Sequence, residues 1–310
     1  MPQPPFDESL DAILRSSDGL DFPVHRAVLA LASPFFKDLF SLPQPESEPK
    51  VPVIPVAESS LILQKLLGTW YPGAEAVVAF DGIEQLAEIV ELAMSKYEFR
   101  FVGPIMRRYL QDYLDTDAVA VYAVACRYHW KDLARKAARH SLKLSLPSIL
   151  RLNATPQLRN ISADLYRALL LYHHKCSAVA GSFGTALVSS KSGWAWMACN
   201  SCRCWVEPKR VVTFIPRTQT AVASASPLLP MVSPRAWIID YIDRAKAALK
   251  EAPGATVSDI VFLAPTLTKL ASCDSICATS GVKDLANFIS GEYLPKLNQA
   301  LDNVPLELGF

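Results

Sequence analysis

Short extended runs open the chain, and helical spacing takes over further along. Ala12-Ile13-Leu14-Arg15 and Phe22-Pro23-Val24-His25 flank Ser17-Asp18-Gly19; Asp-Gly supplies the positive φ angles a tight turn demands, so a hairpin is predicted here. Between Val28 and Phe40 the apolar residues Leu29, Ala32, Phe36 and Phe40 keep helical spacing, and Pro34 divides the stretch into two short helices. A loop rich in Pro, Ser and Glu runs from Ser41 to Lys50. Val51 to Val56 alternates with prolines, which cannot donate to a ladder, and so reads as an edge strand. Ser60 to Tyr71 reads as a helix ending at Pro72-Gly73.

From Ile83 onward Leu86, Val90 and Met94 hold a helical period, and further helices are predicted at 104–114, 116–128, 131–144 and 162–176. Asp81, Thr116 and Ser162 are the expected N-caps, since a short oxygen-bearing side chain satisfies the free amides of a first turn. Residues 177–232 are rich in Ser, Ala, Gly and Thr without clear period and read as a linker or irregular subdomain. Helical spacing returns at Ile238, Ile242, Ala245 and Leu249 and again over 283–301, and Val304 to Leu308 looks extended.

At 310 residues, more than one unit is expected, and 51% hydrophobic residues supply enough material for packed cores. No run approaches the ~20 apolar residues of a membrane helix. Met1 to Leu10 carries prolines and acids where a signal peptide would be basic and then apolar, so no membrane association and no secretion are expected. Seven cysteines, mostly in clusters in the second half, suit thiols or metal ligands of a reducing compartment, which implies the cytoplasm or nucleus. The net charge of +1 hides an asymmetry, because residues 1–100 hold 15 Asp and Glu against 7 Lys and Arg. Lys131, Arg135 and Arg139 form one basic stripe on a helix. The stripe fits a solvated face, and nucleic acid is not expected as a partner, since no aromatics are interleaved for base stacking.

Ser17-Asp18-Gly19, then Phe22 with Val24-His25, then Leu29-Ala30 followed by Ser33-Pro34-Phe35-Phe36 and Leu39-Phe40, together resemble the opening of a BTB/POZ domain. Val53 to Val56 resembles the family's next strand, Leu66 to Gly73 its following helix and turn, and Ala93 to Tyr97 a later helix end. The resemblance covers residues 8–114 and implies an α+β fold, a small sheet covered by helices. Residues 115–180 resemble the helical extension that often follows, 181–310 form a mostly helical C-terminal region with a Cys/Trp cluster, and the whole chain resembles fungal proteins with this front half.

What the resemblance implies is protein binding: a protein-interaction adaptor or scaffold, with the substrate adaptor of a cullin ubiquitin ligase as its sharper form. A self-associating scaffold or transcription cofactor without cullin is the alternative. Two partners follow, a second copy of the chain and the amino-terminal helices of a cullin. Cullin-gripping adaptors often carry a hydrophobic-x-acidic tripeptide after the first helical pair, and here that slot holds Gln44-Pro45-Glu46. The apolar anchor is missing, so docking depends on Leu42 standing in. Phe35 is the residue of this region expected at the surface, because it lies off the apolar stripe, and the expected partner-binding set is Phe35, Leu42, Gln44 and Glu46. Self-association by strand exchange has little chain to work with, since the ten residues before Asp11 include three prolines. His25 is expected to be a partly buried imidazole bonded to backbone in the turn.

One further cluster bears on chemistry. Cys199-x2-Cys202 lets two thiolates from one turn reach one zinc, and Cys176 with His173 would complete a structural site, a position that His174 fits equally. Cys273-x3-Cys277 is a looser pair. The competing reading is reduced thiols packed beside Trp194, Trp196 and Trp205 with no cofactor at all. An enzyme is not expected: Ser190-Lys191-Ser192 lacks the glycine and preceding strand of a phosphate loop, and no Gly-x-Ser-x-Gly, His-Glu-x-x-His or Gly-x-Gly-x-x-Gly motif occurs.

Overall fold

A computed structural model describes residues 10–42, 51–71, 78–151, 156–184, 186–189, 193–199, 234–273 and 275–310. The chain divides into two compact units, one built from residues 1–140, 153–166 and 310, the other from 141–152 and 167–309. Residues 115–180, read from the sequence as one helical extension, are thus shared between the two units.

The first unit opens on β1 (Ala12–Arg15) and β2 (Asp21–Val24), an antiparallel hairpin in which Ala12 faces Val24 and Arg15 faces Asp21. Its inward side chains, Ala12, Leu14 and Val24, are buried, as the period of two requires. Gly19 takes φ +84° in the turn, a conformation a Cβ would disfavour. Asp18 does more than turn the chain. Its carboxylate accepts from the Ser16 hydroxyl at 2.6 Å and from the backbone N–H and hydroxyl of Ser60 at 2.9 and 2.6 Å, which ties the hairpin to the first turn of α3 (Ser60–Gly68). The hydroxyls of Ser16 and Ser60 hold this carboxyl down at about 2.

β3 (Val53–Pro55) joins β1 in parallel, with Ile13 opposite Val53, giving the order β2-β1-β3. Pro55 lacks an N–H, and it sits on an edge strand as expected. Between hairpin and β3 come α1 (Arg26–Ala32) and α2 (Pro34–Ser41), separated where Ser33 is extended and Pro34 occupies the first helical position. α4 (Ile83–Glu91) buries Ile83, Leu86, Ile89 and Val90 and runs into a π-helical turn, Leu92–Lys96. α5 (Gly103–Gln111), α6 (Ala118–Arg127) and α7 (Lys131–Ser141) follow. All of α6 from Ala118 to Cys126 is buried, and desolvation there pushes the Cys126 thiol up to about 11. The small sheet clad in helices is the α+β arrangement expected.

Two expected caps are replaced. Gly82, not Asp81, precedes α4; Asp81 instead exchanges hydrogen bonds with Gln85, whose Oε1 accepts the Asp81 N–H at 3.0 Å. Asp117, not Thr116, precedes α6. Ser162 behaves as expected, accepting the Leu165 N–H at 3.3 Å ahead of α9 (Ala163–Ser182). A helix not anticipated, α8 (Leu146–Arg151), lies before it.

In the second unit α10 (Ala195–Ala198), α11 (Ala236–Glu251), α12 (Ile260–Ala271), α13 (Ile276–Phe288), a π turn over Ile289–Tyr293 and α14 (Leu294–Asp302) surround an aromatic core. Trp196 sits at its centre, stacked on Trp194 at 4.9 Å and edge-on to Trp237 at 5.5 Å and Phe288 at 5.4 Å. Its indole N–H donates to the Val188 carbonyl, and Asp284 of α13 accepts the Ala195 N–H, capping α10 from outside. Val304 to Leu308 takes no helix or strand and lies outside the sheet. No helix among the described residues is long and apolar enough to cross a membrane.

Candidate protein-docking site

The α1–α2 pair is held rigidly from beneath. The buried Ser33 hydroxyl donates to the Tyr97 carbonyl at 2.5 Å and accepts the Phe36 N–H at 3.2 Å, fixing the break between the helices. Phe36 packs into the core, stacked on Tyr97 at 5.1 Å. Arg100 donates its N–H to the Ala32 carbonyl, closing the end of α1. Arg26 crosses the pair's outer side, its guanidinium 5.0 Å from the Phe40 ring and bonded to the Phe40 carbonyl.

Above this base, large apolar side chains are left outside: Leu31 is 73% exposed, Phe35 40% and Leu42 58%. Phe35 leans edge-on against Phe36 and Tyr97, so its ring is oriented while half its surface faces out. Leu42 follows the last turn of α2, its N–H donating to the Leu39 carbonyl at 3.4 Å. Apolar side chains positioned by a rigid scaffold and left at the surface are what a protein interface needs as anchors. Leu31 was not singled out by sequence, although it lies off the apolar stripe as Phe35 does. Gln44 and Glu46 lie outside the described residues.

His25 has a side-chain partner that was not anticipated: the Tyr71 hydroxyl accepts the His25 backbone N–H at 2.9 Å and lies 2.6 Å from Nδ1. A hydroxyl that accepts from the N–H keeps its own proton for Nδ1, so one phenol clamps the entrance of α1. Burial raises the Tyr71 phenol above its usual range.

Of the expected zinc set, Cys202 lies outside the described residues. His173 and Cys176 are buried on α9, and His173 Nε2 is 2.9 Å from the Leu144 carbonyl. Burial lowers the pKa of this imidazole, favouring the neutral form. Among the described residues the cluster of three possible ligands is Cys199 with Cys273 and Cys277, the looser pair of the sequence. Of the stripe on α7, Lys131 and Arg135 are exposed and Arg139 half-exposed; Lys131 donates to the Phe310 carbonyl at 2.6 Å and Arg135 lies 4.0 Å from Asp132.

A three-stranded sheet covered by helices, with large apolar side chains left at its surface, is the arrangement of a protein-interaction module. Residues 4–114 match the family model of the BTB/POZ domain, and the chain carries a domain of that family. It is similar to Kelch-like protein 21 of Bos taurus, 33% identical over 135 residues, which cover 43% of this chain and 22% of that protein. The Rattus norvegicus and Homo sapiens proteins of the same name are each 36% identical over 106 residues, 34% of this chain and 17% of theirs. The matches thus span about a fifth of the length of these relatives.

Proposed function

We propose that the BTB/POZ unit is the adaptor end of a cullin ubiquitin ligase subunit, gripping the amino-terminal helices of the cullin through Phe35 and Leu42 while the rest of the chain presents another protein. The observation that carries this reading is Leu42: 58% exposed directly after α2, it supplies the apolar side chain that the Gln44-Pro45-Glu46 slot lacks. Burying a leucine in a partner pocket is worth ~1.5–3 kcal/mol, enough to decide between binding and none for a modest interface.

The test is capture of a purified cullin amino-terminal segment by the full chain. Retention that falls about tenfold or more in Leu42→Asp and in Phe35→Asp supports the reading. Homodimers that form without cullin retention, measured by light scattering, would replace it with a self-associating scaffold.

A further inference from the structure

In the second unit the sulfurs of Cys199, Cys273 and Cys277 all lie within 4.8 Å of one another. They arrive from three places: the end of α10, the connection after α12 and the first turn of α13. Cys199 and Cys277 are 0% exposed and Cys273 6%. Sγ of Cys199 and Sγ of Cys273 are 3.9 Å apart. That is far beyond the ~2.05 Å of a disulfide bond. It is close to the ~3.8 Å edge of a tetrahedron of sulfurs placed ~2.3 Å from zinc.

One surrounding group favours a thiolate. The fully buried Trp237 aims its indole N–H at Cys277 Sγ, 3.4 Å away. A thiol sulfur is a poor acceptor and a thiolate a good one, so this donor sits where an outer-shell partner orients and stabilises a ligand, at the expense of the weak bond the Cys277 thiol donates to the Ala195 carbonyl, 3.9 Å away.

We propose that Cys199, Cys273 and Cys277 bind one zinc ion as thiolates. Binding releases the three thiol protons, and the ion clasps α10 to the α12–α13 connection, with a water molecule as the fourth ligand of the tetrahedron. This donor set replaces His173 and Cys176 with residues that stand 74 positions from Cys199 or further along the chain.

The experiment is elemental analysis of the full-length protein purified under reducing conditions, followed by chelator treatment and titration with cobalt(II) alone. About one equivalent of zinc is expected, with a sulfur-to-cobalt charge-transfer band and tetrahedral visible bands that added zinc abolishes. The Cys273→Ser, Cys277→Ser double variant should lose both signals, and Cys176→Ala should keep them. Less than about a tenth of an equivalent of zinc together with no cobalt charge-transfer band in the unaltered protein overturns the proposal. So does metal that survives the double variant or departs with Cys176→Ala. If the double variant does not fold, the cobalt spectrum of the unaltered protein decides alone.

Discussion

Tyr97 donates its phenolic proton to Oε2 of the buried Glu58 at 2.5 Å, while Lys96 holds Oε1 of the same carboxylate at 2.5 Å. Burial pushes the Glu58 carboxyl up, but these two hydrogen bonds outweigh it and leave the pKa below the ordinary 4.5. Burial and the neighbouring carboxylate push the Tyr97 phenol far up. Because the folded pKa of Glu58 lies below the unfolded one, its contribution is complete above the ordinary carboxylate range and is lost as pH falls through the lowered value. Glu58→Gln is expected to cost about 2 kcal/mol at neutral pH, the worth of hydrogen bonds to a charged group. Urea unfolding at about pH 7 and about pH 3 checks it: the gap between protein and variant should narrow in acid. A gap of equal size at both would contradict the assignment.

Tyr71→Phe removes the hydroxyl that clamps His25 on both its backbone N–H and Nδ1. A loss of about 1–1.5 kcal/mol is expected, since a partly buried donor is left without its acceptor. Thermal unfolding measures it. Unchanged stability would mean that water replaces the phenol at no cost.

Gly184→Ala is expected to be more damaging than most single-methyl additions. Gly184 takes φ +105°, and a Cβ there would come 2.5 Å from Cε2 of the buried Tyr293. Strain in the left-handed region and overpacking together should cost about 2 kcal/mol or more. Denaturant midpoints decide it, and a variant within about 0.5 kcal/mol of the parent would show that Tyr293 has room to move.

Arg244 ties α11 to α12. Pro265 lies inside α12, and on either side of it Arg244 donates to the Phe262 carbonyl at 2.8 Å and the Thr266 hydroxyl at 2.5 Å, with Asp240 3.2 Å from its Nε. Arg244→Met should cost about 2 kcal/mol. Arg244→Lys should recover less than half, because a single ammonium cannot span the acceptors of a planar fork. Full recovery by lysine would reduce the role of Arg244 to charge alone.

Local chemistry made the first unit legible. Asp18-Gly19 announced the hairpin, Pro34 the helix break and the prolines around β3 its edge position, because each acts on its own backbone. α12 was missed for the converse reason. Ile260, Val261 and Leu263 stand close to Pro265, so no period of 3.6 emerges, and the exposure of Ile260 and Val261 is set by the tertiary fold. Asp81 was misread because Gln85 reaches back to it, a contact no spacing rule distinguishes from a cap. For the cysteines, sequence marked close neighbours and passed over Cys199 with Cys273, whose proximity arises only when α10 packs beside the connection between α12 and α13.

The parallel pairing of β1 with β3 has a consequence for the order of assembly. Ile13 meets Val53 only after both intervening helices have emerged from the ribosome, whereas β1 and β2 close on each other at once. The nascent chain therefore holds a bare strand edge while α1 and α2 form. An early chaperone contact would be drawn to that edge, and it disappears when Pro52 accepts the Ile13 N–H.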